Sequence, residues 1–218
     1  MSQLIQLFSF DVVASAAFKT KAPDDSREVP SWIEAFKSFY EELPLIFTAE
    51  VARLFFDEPD DFPLVPVWKA IGDEIVFIAR PVQARELCLL TQAFAAAMAK
   101  ANDRFNQAWG FQIHGVTWSF EQGDRNIAIR FRELENNQEA VMDLIGPDVD
   151  LGFRLVTHAP PGGVLTTADH ADRLSGQAVQ LDCIGHAPLK GIRRSPYPLL
   201  QVITAAHQEP LSHGEHAG

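Results

Sequence analysis

Leu4-Ile5-Gln6-Leu7-Phe8-Ser9-Phe10-Asp11-Val12-Val13 is a nearly continuous apolar run, rich in aromatic and β-branched side chains, with a carboxylate set into it at Asp11. A run of this length and composition predicts a strand buried at the centre of a sheet. Working outward, residues 19–29 carry Pro23, Asp24 and Asp25 and read as a loop. Ser31 and Glu34 have the spacing of a capping box, followed by Trp32, Phe36, Phe39 and Leu43 at helical spacing. An acidic, turn-rich stretch over 57–63 ends that helix. Residues 64–68 and 74–78 predict two short strands around Lys69-Ala70-Ile71-Gly72-Asp73, which reads as a hairpin. Pro81 opens a long helix with Leu87, Leu90, Phe94 and Met98 on one face.

Beyond it, 111–120 and 127–131 are strand-like, joined by Gln122-Gly123-Asp124. Residues 149–159 follow the Gly146-Pro147 break as a helix, 162–166 read as a strand and 167–174 as a short helix. Strands at 179–184 and 198–203 complete the order β-α-β-β-α-β-β-α-β-α-β-β. No linker, repeat or low-complexity tract interrupts it. The pattern predicts one α+β domain with a mixed sheet over residues 1–206, and 207–218 as a polar, disordered tail.

The chain has 218 residues and a formal charge of −11, from 18 Lys+Arg against 29 Asp+Glu. Its densest basic cluster, Lys190, Arg193 and Arg194, is too small for a phosphate-binding face, so nucleic-acid binding is not expected. Cys88 and Cys183 build neither a disulfide framework nor a cysteine zinc site. The amino terminus lacks a signal-type pattern, and no apolar run reaches the roughly 20 residues of a membrane helix. A cytoplasmic protein with no membrane binding is expected.

Two aspartates occupy positions that a core does not favour. Asp11 lies in the apolar first strand and Asp73 at the hairpin tip. Taken singly, Asp11 reads as a strand end facing solvent and Asp73 as ordinary Gly-Asp turn chemistry. Taken together, they put two carboxylates at one edge of a sheet, a donor set suited to Mg²⁺ or Mn²⁺ and to the phosphates these ions grip.

At this point the chain resembles class III nucleotidyl cyclases. The stretch from Phe10 to Phe18, Phe-Asp-Val-Val-Ala-Ser-Ala-Ala-Phe, is similar to their first metal motif, and Lys69-Ala70-Ile71-Gly72-Asp73 to their second. Asp143-Leu144-Ile145-Gly146-Pro147-Asp148-Val149-Asp150-Leu151-Gly152-Phe153-Arg154 is similar to the third, and Leu189-Lys190-Gly191-Ile192 to an element preceding the last strand. The Gly-Pro-Asp-Val-Asp-Leu-Gly-Phe-Arg form, with Gly115-Val116-Thr117-Trp118, most resembles the pyrimidine cyclases of the bacterial anti-phage system Pycsar. The resemblance implies a ferredoxin-like βαββαβ catalytic core with a mixed, mostly antiparallel sheet.

It also implies site residues. Asp11 and Asp73, with the Val12 carbonyl, would hold two Mg²⁺ or Mn²⁺ ions per active site. Ser15 and Phe18 lie in the phosphate-approaching segment, where the family's usual Gly and Thr are Ala14 and Ala16. Arg154 would stabilise charge developing on the phosphate, and otherwise reads as an exposed helix arginine. Asp150 stands where the family has a ribose-orienting Asn. Lys190 would contact the triphosphate, and otherwise reads as a surface lysine.

Lys69 and Asp143 match the base-reading positions. A donor beside an acceptor fits adenine, cytosine or uracil and rejects guanine, whose edge has the opposite order. UTP, with CTP behind it, follows from the Pycsar resemblance. A homodimer with active sites at the interface, and a separate effector sensing the product, are implied as well. The rivals are an adenylyl cyclase, favoured by the same Lys–Asp pair, and an inactive nucleotide-binding module, favoured by Ala14 and Asp150. A diguanylate cyclase is suggested by Gly72-Asp73-Glu74 but has no place for the Arg154 segment. His213-Gly214-Glu215-His216 lacks helical metal-site spacing, Cys88 reads as core filler, and Trp68 and Trp118 read as core, with Trp68 able to border a base pocket.

Overall fold

The computed structural model describes residues 3–21, 30–57, 62–130, 142–192 and 196–203, so the predicted tail over 207–218 lies outside the described residues. The opening run forms strand β1, Gln3–Val12, in the interior of a seven-stranded sheet. Two short segments later, helix α1 is Ser15–Lys21 and α2 is Ser31–Leu54. Strands β2, Val67–Ile71, and β3, Glu74–Ala79, form a hairpin, and α3, Ala84–Trp109, returns the chain to β4, Ile113–Gln122. A side ribbon pairs β5, Ile127–Arg130, with β6, Met142–Ile145. Then come α4, Pro147–Leu155, a 3₁₀ turn over Val156–His158, β7 at Val164–Thr166, α5 at Ala168–Arg173, and β8 and β9 at Gln180–Ala187 and Tyr197–Ile203.

The sheet order is β2-β3-β1-β4-β7-β9-β8. Its first four strands, with the helices between them, are the expected βαββαβ core. Only the β4–β7 pair of that sheet is parallel among the described residues, so the sheet is mixed and mostly antiparallel, as expected. Alternation along β1 divides two cores. Phe8, Phe10 and Val12 face α2 and α3, whereas Ile5 and Leu7 share the opposite cluster with Trp118, Val149 and Leu155. Phe10 packs 4.6 Å from Phe94, 5.6 Å from Phe47 and 5.7 Å from Phe77, ring centre to ring centre. Each such fully buried ring contributes about 2–3 kcal/mol, which fixes β1 between the helices and α4.

Several local details differ from the sequence-based expectation, among them the start of α3, which is Ala84 rather than Pro81. The capping box does not form: Pro30 is the N-cap, Ser31 is already helical, and Glu34 pairs with Lys37 at 2.8 Å. The cause is register, because a box needs Ser at the cap and Glu three residues on. The hairpin turn is tighter than Lys69–Asp73. Gly72, at φ +66°, closes it with Asp73, and Lys69, Ala70 and Ile71 extend β2. Helix α1 and strand β6 were not foreseen, being short and without a periodic apolar face. Pro147 begins α4 rather than merely preceding it, in the first-turn position where its missing N–H costs nothing.

Glycines and one alanine set the close approaches. A Cβ on Gly152 would lie 2.1 Å from the Trp118 indole, so glycine lets α4 sit directly on the sheet. After β1 the chain turns at Ala14, whose φ is +51°. For an L-residue this left-handed conformation costs about 1–2 kcal/mol, against about 0.4–1 kcal/mol of extra chain entropy for glycine. Ala14→Gly is therefore expected to raise unfolding stability by about 0.5–1 kcal/mol. Urea denaturation checks this, and a loss of stability would contradict it.

A buried polar network ties α5 to the core. The Nε2 of His170 lies 3.0 Å from the Thr91 hydroxyl and Nδ1 lies 2.8 Å from the Ser119 hydroxyl. Thr91 donates to the Leu87 carbonyl, so its oxygen accepts from His170 Nε2–H and from Gln6. Burial, aided by the Arg173 charge, pushes His170 down from 6.5 to about 3. The unfolded chain thus takes up a proton near pH 6.5 that the folded chain refuses until about pH 3. Stability from this group is full above pH 6.5 and falls with pH across that window, by about 1.4 kcal/mol per pH unit. Between pH 7 and pH 5, His170→Gln is expected to lose about 2 kcal/mol less than the wild type. Equal losses in both proteins would remove His170 from the acid response.

Candidate active site

Three strands end together at one side of the sheet. Asp11 pairs in register with Glu74 on β3 and with His114 on β4, and the Val12 N–H donates to the Asp73 carbonyl at 3.3 Å. The two predicted metal aspartates are therefore neighbours, one at the second-to-last position of β1 and the other in the β2–β3 turn. The Tyr40 hydroxyl, from α2, donates to the Gly72 carbonyl at 2.5 Å and braces that turn. Burial and the charge of Asp73 both push the Tyr40 hydroxyl above its ordinary value.

Negative charge is concentrated here. Burial raises the Glu74 carboxyl, the Ser9 hydroxyl 2.5 Å away opposes this, and Asp11 and Asp73 raise it further. His114 was not singled out by the sequence reading, yet its Nε2 lies 3.2 Å from Asp11 Oδ2 and its Nδ1 2.7 Å from the Ala159 carbonyl. Burial lowers its pKa, but Asp11, the Ala159 carbonyl and the charge of Glu74 outweigh burial and raise it above the ordinary imidazole value. The available signal was a histidine inside the apolar 111–120 run, of the same kind as Asp11 in β1.

Among the described residues, no group of three or more His, Cys, Asp or Glu side chains is placed to hold a metal ion. Two aspartates with the Val12 carbonyl still fit Mg²⁺ or Mn²⁺, which are commonly held by one or two carboxylates plus water and substrate phosphates. The crowding of Asp11, Asp73 and Glu74 favours a cation for the same reason.

Lys69 and Asp143, 74 residues apart, meet at 2.7 Å. The β-bulge between Val67 and Lys69 gives both Trp68 and Lys69 access to Phe153, with Lys69 Nζ 3.9 Å from the Trp68 ring centre and 5.6 Å from that of Phe153. Asp143 is set by the β5–β6 pairing opposite Ile129, and its Oδ1 also accepts from the Leu144 N–H at 2.8 Å. Burial pushes the Asp143 carboxyl up, but the bond from Lys69, that from Leu144 and the Lys69 charge prevail and hold it below the usual carboxylate range. The result is a fixed donor beside a fixed acceptor, on a partly open aromatic platform.

Arg154 lies in the last turn of α4, and its Nη1 donates to the Lys190 carbonyl. Gly191, at φ +78°, turns the chain so that a Cβ there would lie 3.8 Å from both terminal nitrogens of Arg154. The Nε of Arg154 is buried and has no hydrogen-bond partner among the described residues. Asp150 is exposed in the first turn of the same helix. Ser15 begins α1, and Phe18 packs against Phe111 at 5.4 Å while its N–H is taken by the Ala14 carbonyl at 3.1 Å. The structure thus joins Asp11 to Asp73, Lys69 to Asp143 and Arg154 to Lys190, and gives the Phe18 side chain a packing position.

Among the described residues, no helix is long and apolar enough to cross a membrane. No protein-family model matches the sequence, and no curated protein matches it by sequence. Solved structures do match in fold. The adenylyl cyclase CyaB from P. aeruginosa gives a TM-score of 0.61 at 13% identity, over 94% of this chain and 96% of that one. The guanylate cyclase domain of RhGC from Catenaria anguillulae, solved in complex with GTP, gives 0.62 at 14% identity, over 93% and 96%. The guanylyl cyclase Cya2 gives 0.61 at 12% identity, over 95% and 96%. The chain has the fold of adenylyl and guanylyl cyclase catalytic domains, matched over nearly its whole length.

Proposed function

We propose that this chain is a class III nucleotidyl cyclase that converts UTP, with CTP as the alternative pyrimidine substrate, to the 3′,5′-cyclic monophosphate and pyrophosphate. One observation carries the reading: six residues from four separated motifs come together as the pairs Asp11–Asp73, Lys69–Asp143 and Arg154–Lys190. In the reaction the ribose 3′-oxygen loses its proton and bonds the α-phosphorus, while the bond from that phosphorus to the β-phosphate oxygen breaks.

Asp11, Asp73 and the Val12 carbonyl would hold two Mg²⁺ or Mn²⁺ ions, which when bound acidify the 3′-hydroxyl and neutralise charge on the departing pyrophosphate. Lys69 donates to the base and Asp143 accepts from it: O4 and N3–H of uracil, or N3 and the amine of cytosine. The segment containing Ser15 and Phe18 borders the phosphates, and Lys190 binds the triphosphate. Arg154 stabilises charge developing on the reacting phosphate, and Asp150 accepts from a ribose hydroxyl. Two copies form a homodimer, with the metal aspartates of one protomer facing the Lys69–Asp143 pair and Arg154 of its partner. The pyrimidine preference and a role in anti-phage defence, with a separate effector sensing the product, rest on the sequence resemblance to Pycsar cyclases. An adenylate cyclase is the second reading, because the same donor–acceptor pair fits adenine.

Incubation with ATP, GTP, CTP or UTP and Mn²⁺, with products separated by mass, tests the reading. Cyclic UMP is expected as the main product and nothing from GTP. Cyclic AMP alone would select the second reading, and cyclic GMP would overturn the base assignment. Asp73→Ala and Arg154→Ala are each expected to lower turnover by about 100-fold or more while remaining folded. Lys69→Glu should weaken use of the accepted base, and an unchanged preference would take Lys69 out of the pocket.

A further inference from the structure

The His114 ring is held at both ends, and His114 itself has no part in the cyclase chemistry assigned above. Its Nε2 lies 3.2 Å from Asp11 Oδ2 and its Nδ1 2.7 Å from the carbonyl of Ala159. Both neighbours present oxygen atoms to the ring nitrogens, and the two contacts fix the plane of the ring. Its backbone is fixed too, since His114 is the register partner of Asp11 across the β1–β4 ladder. The far anchor is equally rigid: the Ala159 N–H donates to Val156, closing the 3₁₀ turn that continues α4. On the other flank of Asp11, Glu74 is engaged by the Ser9 hydroxyl.

We propose that His114 is a positioning residue that aims the Asp11 carboxylate at its cation. It ties down Oδ2, so that Oδ1 would be the oxygen left to take a cation. Asp11 has two side-chain torsions and lies beside two other acidic residues, so without the ring it would turn away or be shared with water. A partner of this kind, outside the set of metal ligands, commonly accounts for 10–100-fold in metal affinity. The inference deepens the metal-binding reading of Asp11 and Asp73 and rests on it.

The test is a titration of the full-length protein with Mn²⁺ alone, followed by the electron paramagnetic resonance of the free ion. Wild type, Asp73→Ala, His114→Gln and His114→Asn are compared, each first checked for folding by circular dichroism. Wild type is expected to bind Mn²⁺, and Asp73→Ala to lose that binding. At least one folded His114 variant is expected to bind about tenfold or more weakly than wild type. A merely structural role for His114 would lower the melting midpoint and leave the Mn²⁺ Kd of the folded protein unchanged, which overturns the proposal. If wild type itself fails to bind Mn²⁺, the metal reading of the two aspartates falls, and the role of His114 with it.

Discussion

Strand β1 is hydrogen-bonded on both edges and buried on both faces, and it ends in a carboxylate. That conjunction constrains everything around it. The Phe8–Phe10–Val12 face is locked under α2 and α3, so β1 cannot slide to carry Asp11 into solvent without exposing aromatic rings. Asp11 therefore stays in a row with Glu74 and His114, beside the Gly72-Asp73 turn. Such a row is stable only if the charge is answered. Ser9 and His114 answer part of it, and in the proposed reading a cation and the phosphates it holds answer the remainder.

The same sheet carries the second half of the proposed chemistry. Lys69 pairs with Val76, and Val76 with Ser9, so Lys69 lies one row, about 7 Å along the strands, from the Asp11 row and on the same face. The β-bulge before it and the β5–β6 ribbon bring Asp143 against it. Helix α4 approaches that face closely because Gly152 has no Cβ to meet Trp118, and its last turn delivers Arg154 to the Lys190–Gly191 turn. In the proposed dimer these two halves serve opposite active sites. Through Ala159, His114 ties the metal-binding strand of one site to the helix that supplies Arg154 to the other.

Much of this was legible in the sequence because burial makes polar residues conspicuous. Asp11 stood out against an apolar run, and Gly72-Asp73 marked where the hairpin had to reverse. The pairing of Lys69 with Asp143 came through the motif resemblance, since the four-residue strand that sets Asp143 has no periodic signature of its own. Helix α1 was illegible for a related reason: seven residues following a left-handed alanine show too little apolar period. The Ser31–Glu34 box misled because Pro30 takes the cap. His114 carried the same signal as Asp11, but nothing local says that residues 103 apart share a hydrogen bond, which depends on strand order.

The claim at the centre of this account is that each active site draws its metal aspartates from one copy of the chain and its arginine from the other. Mixing Asp73→Ala with Arg154→Ala protein under conditions that allow dimers to exchange, and then measuring cyclic nucleotide formation, tests it most directly. A heterodimer would hold one site with both residues intact, so the mixture should recover roughly a quarter of wild-type activity from two inactive parents. No recovery, with exchange verified and the wild type active, would place both residues in one protomer's site and contradict the account.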